Sequence, residues 1–303
     1  MDSTPLLGAT SGYPGTTILQ DHPVFLRASH SPWGFIPQNV LVFFRGVILA
    51  YLVATAVMVL NYKLTEDTTL SNWRLFYDFA LISGALVLLY YIITFSWTFT
   101  HLYYPDSEEI NGGIEWYIVR LMSLPRNLAS LRKQFYFTMF YITTVVFSFM
   151  NTTIYWFITR PHELEEAGED QFRDAMAPPP PDSNTPCAES VSDLFGEGWF
   201  KAFVIINLYG IASVIMVIEI LYLNSIRRSF SIGAYLFGLL VLSGLYLGWA
   251  AIGHAATGWW SFFWLDQAEV GSQEAVTAYC IGFVLLAPIS KVPASAARAL
   301  TNG

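Results

Sequence analysis

Charge is scarce in this chain: charged residues make up 13% of its 303 positions, where soluble domains carry about a quarter. Together with a 54% hydrophobic and 17% aromatic content, this excludes an ordinary water-soluble domain. Cysteine is scarcer still. Cys187 lies in an acidic stretch and Cys280 in an apolar one, so no disulfide framework is expected. No Cys-x-x-Cys, His-Glu-x-x-His or comparable ligand cluster occurs, and neither a metal nor another cofactor is expected. The segment from Met1 to Phe25 has no basic stretch leading straight into an apolar core, so it does not read as a cleaved signal peptide. No internal repeat is apparent.

What the chain does have is long apolar runs. They cover approximately Leu41 to Asn61, Leu75 to Thr100, Phe135 to Ile158, Trp199 to Leu223 and Ile232 to Ile252, with a weaker run from Ala275 to Ser290 that Pro288 interrupts near its end. Each long run matches the roughly 20 residues a helix needs to cross about 30 Å of hydrocarbon. The expected fold is therefore all-α, a polytopic bundle of six transmembrane helices spanning 41–292. A disordered tail at 1–40 precedes it and a short tail at 293–303 follows.

The formal net charge of −8 is local: ten acidic residues lie between Glu163 and Glu197. Such a segment repels phosphates, so nucleic acid is not an expected partner. The stretch 160–198, with its APPPPDSNTPC run, is too polar to fold alone and reads as a disordered loop. Lys and Arg concentrate in alternate connections, at Arg120, Arg126, Arg132 and Lys133, at Arg227 and Arg228, and at Lys291 and Arg298, while Gly253 to Glu274 holds none. The positive-inside rule then puts both termini in the cytoplasm and the acidic loop in the lumen. Arg45, near the cytoplasmic start of the first run, is expected to snorkel to the headgroups. Eleven Trp and Tyr residues near run ends, Trp97, Trp249 and Trp264 among them, read as an aromatic belt. Asn151-Thr152-Thr153 fits a glycosylation sequon but lies inside an apolar run, out of reach of that machinery. Asp2 with Leu6-Leu7 has acidic-dileucine spacing, compatible with vacuolar or endosomal sorting as well as with a plain tail.

Polar side chains at membrane depth are costly and are functional candidates by default. They are Asp78, His101, Asn151, Asn207, Glu219 and His254. In the expected topology Asp78, Asn207 and His254 share the lumenal half, where a carboxylate and an imidazole together suit acid–base or nucleophilic chemistry. Each also has a structural reading: Asp78 as a helix-start carboxylate, Asn207 as interhelical glue, His254 as an interface residue, and Glu219 as a partner of Arg227 or Arg228. Small residues at Ser83-Gly84-Ala85, Gly210 to Ser213 and Gly233 to Gly248 suit close helix packing.

The run INLYGIASVIMVIEILYLNSIRRSF (Ile206 to Phe230), followed by YLGWAAIGHAATGWWSFFWL (Tyr246 to Leu265), resembles the FAR-17a-like, androgen-induced family of six-span membrane proteins. Glu219 matches the acid ending that family's fourth span, and Trp249, His254, Thr257-Gly258 and Trp260 match its signature at the fifth-span exit. NWRLFYDFALI (Asn72 to Ile82) adds support. The resemblance implies an endoplasmic reticulum or other endomembrane protein acting on membrane lipid, since several members hydrolyse fatty acid esters of hydroxy fatty acids with a threonine and a histidine. Here the threonine position falls on Tyr77 and the histidine position on Tyr209. Two readings stand side by side. One is a lipid ester hydrolase with His254 and Asp78 as the catalytic pair and Asn207, Tyr77, Tyr209 and Glu219 around the substrate. The other is a non-catalytic lipid-binding or scaffold protein. A transporter would need paired Gly- or Pro-interrupted helices in its two halves, and none recur.

Overall fold

The computed structural model of the chain describes residues 24–31, 33, 36–66, 72–104, 113–123, 130–165, 198–224 and 232–300. Every regular element among them is helical: α1 (Val24–Ala28), α2 (Gln38–Glu66), α3 (Phe79–Tyr103), α4 (Ile114–Met122), α5 (Leu131–Glu165), α6 (Trp199–Leu223), α7 (Ile232–Thr257), α8 (Gln267–Val270) and α9 (Gln273–Leu300). Five of them, α2, α3, α5, α6 and α7, are long and apolar enough to cross a membrane. That makes the chain a multi-pass helical membrane protein, because in lipid a backbone without water satisfies its polar groups only within helices or closed barrels. In α9 the apolar part, Gln273–Ile289, is shorter than the other five. The helix nevertheless continues through Pro288 and Pro293 to Leu300; each proline removes one backbone N–H donor without ending the helix.

The most buried span is α5, packed against α3, α6, α7 and α9, whereas α2 leans mainly on α3. The outer face of α2, with Phe43, Phe44, Val47, Val53 and Val57, is exposed and apolar as a lipid-facing helix should be. Core packing is strongly aromatic. Phe79 contacts Phe147, Tyr246, Phe262 and Phe283, at ring centroid separations from 4.7 to 5.7 Å. Two tryptophans of the expected belt belong to this core instead: Trp264 is 2% exposed, and Trp97 packs on Phe25 and Phe137. Close approach depends on glycine at Gly253. A Cβ on Gly253 would meet the Tyr77 ring at 2.5 Å, close to that side chain's root, whereas one on Gly238 would meet only the flexible end of Met139, at 2.7 Å.

Three segments depart from the sequence reading. Residues 24–31, expected to belong to a disordered tail, are packed, with Val24, Phe25 and Ala28 almost fully buried; a five-residue helix is too short to raise an apolar-run signal. Residues 160–165, expected to open the acidic loop, continue α5, where Arg160 pairs with Glu163 at 3.5 Å. Arg45 does not snorkel but is fully buried. The dileucine segment, most of the acidic loop, Arg227 and Arg228 lie outside the described residues.

Candidate functional site

α6 is interrupted by two π-helical turns, Asn207–Ile211 and Glu219–Leu223, and α5 by a third, Tyr155–Thr159. A π turn widens the helix and disturbs the regular bond ladder, so it persists where other groups compensate; such turns are frequent at functional sites. Here the compensation comes from neighbouring segments. The Leu208 carbonyl accepts from Asn151 Nδ2 at 3.0 Å and the Tyr209 carbonyl from Trp156 Nε1 at 3.2 Å. At the other turn three successive carbonyls are taken up: Leu221 by Trp33 Nε1 at 2.8 Å, Tyr222 by Ser31 Oγ at 2.7 Å, and Leu223 by Arg45 at 2.8 Å.

The Asn207–Ile211 turn and the start of α3 form a wall between two cavities. On one side lies an apolar groove of ≈ 550 Å³ between α2, α3 and α6, walled by residues such as Leu52, Val59, Gly84, Leu88 and Leu208. Its polar residues are Thr55, Asn72 and Asn207. On the other side a polar cavity of ≈ 440 Å³ is lined by Asp78, Asn151, Tyr155, His162, Glu163, Tyr209, Ser261, Asp266 and Glu269, together with aromatic side chains. Adjacent residues face opposite ways: Leu208 lines the groove and Tyr209 the cavity, Leu81 the groove and Ala80 the cavity.

The expected site residues are distributed over these features. Asp78 lines the polar cavity, yet its Oδ1 accepts from the Ala80 amide at 2.9 Å, a helix N-cap. Tyr209 stacks on Tyr155 with centroids 3.8 Å apart. Asn207 lines the groove, where its Oδ1 accepts from Tyr51 and its Nδ2 donates to the Phe203 carbonyl at 2.8 Å. Tyr77 packs beside Trp249 at 5.0 Å. His254 lies flat on Trp260, 4.0 Å between centroids and 6° between planes. Trp260 lines the polar cavity, and His254 is not part of that lining. Asp78 and Tyr209 thus share one cavity, Asn207 lies across the wall from them, and no hydrogen bond joins Asp78 to His254 among the described residues.

Glu219 is elsewhere and is fully buried. Its Oε1 accepts from Arg45 at 3.0 Å and from Tyr90 Oη at 2.8 Å, and its Oε2 from Tyr91 Oη at 3.2 Å. Arg45 also donates to Thr98, and Asn224 donates to Tyr90 Oη at 2.7 Å. Inside a bilayer an ion pair survives only with such added hydrogen bonds. Neither residue lines either cavity described above, and Glu219 joins α6 to α2 and α3 through these bonds.

Sequence reasoning passed over Ser261, whose Oγ accepts from the Phe79 amide at 3.2 Å and meets Tyr246 Oη at 2.7 Å. It also passed over His162, which stacks on Phe263 at 3.9 Å. A serine after a double tryptophan and a histidine beside a proline carry no pattern signal. No group of three or more His, Cys, Asp or Glu suited to a metal ion occurs among the described residues. Comparison with protein-family models, with curated proteins and with solved structures returns no match to this chain.

Proposed function

We propose that this multi-pass protein binds membrane lipid, taking an acyl chain into the groove between α2, α3 and α6, and that it does so without hydrolysing it. The observation that carries the reading is the groove itself: ≈ 550 Å³ of largely apolar space among three helices of membrane-spanning length. Chains of the surrounding lipid are the occupants nearest to hand, and the polar residues on the groove's lining are Thr55, Asn72 and Asn207, of which Thr55 and Asn207 already bond to protein partners. Pockets of this size with few convergent polar groups are the usual form of small-molecule sites.

Binding is favoured over hydrolysis by what the two proposed catalytic side chains are already doing. A general base has to come within hydrogen-bond reach of the group it activates. The Asp78 carboxylate caps α3, and His254 is stacked on Trp260 and is not part of the cavity lining. A tyrosine at the threonine position, Tyr77, packs against Trp249 and supplies no activated nucleophile. The reading includes divergent membership of the FAR-17a-like family, supported by the Glu219, Trp249, His254 and Trp260 pattern. It also includes an endomembrane location with α9 as a sixth crossing and both termini cytoplasmic, supported by the distribution of Lys and Arg.

The test is photocrosslinking of the full chain in vesicles with a diazirine-bearing fatty acid and a diazirine-bearing phosphatidylcholine, beside Ala56→Trp. Ala56 lines the groove and is exposed, so a tryptophan there fills space without disturbing the core. Adducts on residues 52–88 that Ala56→Trp removes are expected; their absence in the wild type would sink the reading. Turnover of a fatty acid ester panel by the wild type, lost in a folded His254→Ala variant, would replace it with the hydrolase.

A further inference from the structure

The short helix α4 lies in the connection between two spans, α3 and α5, and therefore at one face of the membrane. Its sequence, IEWYIVRLM, places Ile114, Tyr117, Ile118 and Leu121 at i, i+3, i+4 and i+7, which is one face of a helix. In the structure that face is bare: the four residues are 82, 64, 48 and 74% exposed. The opposite side is already engaged. Val119 is buried, and the Met122 carbonyl at the end of α4 accepts from Thr100 Oγ1 near the end of α3 at 3.3 Å. The helix is thus anchored to the bundle on one side and presents an apolar stripe on the other.

The surroundings say what covers the stripe. Arg120 sits over the Trp116 ring at 4.7 Å, and Arg132 over the Tyr136 ring at 5.6 Å. Arg120, Arg132 and Lys133 are all exposed. Tyr103 at the end of α3 and Leu131 and Tyr136 at the start of α5 are exposed as well, so the adjoining ends of both neighbouring spans also present apolar and aromatic surface. Exposed aromatics interleaved with arginine at helix ends mark the headgroup level of a bilayer. A helix with an apolar face, a cationic rim and aromatic residues lies in that plane.

We infer that α4 is an interfacial helix that rests on the phospholipid of its own leaflet, with Ile114, Tyr117, Ile118 and Leu121 against acyl carbons and Arg120 and Arg132 at the phosphates. It does not cross the membrane, and its occupant is the lipid surface, not a second copy of the chain. The inference is independent of the groove, which lies on the α2 side of α3.

The test uses the full chain with Cys187 and Cys280 replaced by serine, one nitroxide-labelled cysteine at a time, in phosphatidylcholine vesicles. Labels in Ile118→Cys and Leu121→Cys are expected to meet oxygen freely and a water-soluble nickel chelate poorly, at a depth of about 5–10 Å below the headgroups. Labels in Arg120→Cys and Lys133→Cys are expected to show the reverse. Nickel access at 118 and 121 overturns the inference. So does exclusion of both relaxing agents with spin–spin broadening, which means that another copy covers the stripe. Where a labelled variant loses the wild-type elution position, the unlabelled chain is photolysed in vesicles holding phosphatidylcholine with a diazirine near the acyl carbonyl. Adducts on residues 114–121 support the inference, and a chain modified only on its spans overturns it.

Discussion

The two π turns of α6 occupy the same helix, and each carries one of the polar residues that sequence marks out, Asn207 and Glu219. Their surroundings are opposite. Around Glu219 every described partner is protein, with a guanidinium and two phenols on the carboxylate and three carbonyls of the turn closed by Trp33, Ser31 and Arg45. Around Asn207 the wall has open space on both sides, an apolar groove and a polar cavity. Both residues take their hydrogen-bond partners from the fold, Asn207 from Tyr51 and the Phe203 carbonyl; what separates them is that Asn207 borders a groove while Glu219 is enclosed by its network.

The largest way to break the comparison is at the closed turn. Glu219→Leu leaves the Arg45 charge in the interior without its counter-ion, which costs about 3–5 kcal/mol. Thermal unfolding in detergent should register a collapse of the midpoint, and Arg45→Met combined with Glu219→Leu should recover most of it. A Glu219→Leu protein as stable as the wild type would show that the network does not hold α2, α3 and α6 together.

At the open turn the expected effect is smaller and of another kind. Asn151→Leu removes the donor that satisfies the Leu208 carbonyl, a loss of about 1–2 kcal/mol by the scale of interhelical hydrogen bonds in membranes. Ser213, which meets Ser148 Oγ at 3.1 Å and Thr152 at 2.6 Å, keeps α5 and α6 apposed. The helix should therefore stay in place while the wall relaxes, and photocrosslinking in the groove should redistribute between residues 81 and 88. Unchanged crosslinking together with unchanged stability would mean that the π turn does not shape the groove.

Asp78 sharpens the comparison further, because it stands in the open region but has a structural partner. As an N-cap, Asp78→Ala should cost about 0.5–2 kcal/mol while Asp78→Asn costs little. A carboxylate acting in chemistry gives the other pattern, with Asp78→Asn folded and inactive. Unfolding and ester turnover measured on the same pair of variants separate the two.

The crossing helices were legible because apolar length is a local property: the runs expected from Leu41 to Ile252 correspond to α2, α3, α5, α6 and α7. Two structural roles were legible for the same reason, since Asp78 stands just before its helix and Asn207 lies within one. The ion pair was not. Arg45 and Glu219 are 174 residues apart, and each has nearer alternatives in sequence, the headgroups for one and Arg227 or Arg228 for the other. Choosing between them requires knowing that α2 and α6 meet. The wall was hidden likewise, because a π turn shifts the facing of Leu208 and Tyr209 and no residue type announces it.

His254 gives the smallest expected effect and separates the two functional readings most cleanly. Its ring lies parallel to Trp260, and stacked aromatic pairs contribute about 0.5–1.5 kcal/mol beyond their burial. Phenylalanine keeps that contact and removes both ring nitrogens. His254→Phe should therefore match the wild type in thermal midpoint and in lipid crosslinking, while His254→Ala loses about 1 kcal/mol with the stacking contact on Trp260. A histidine that moves protons cannot be replaced by phenylalanine. If the wild type turns over an ester and His254→Phe, folded and loaded with lipid, does not, the imidazole reaches the polar cavity during turnover, and the open turn of α6 belongs to an enzyme.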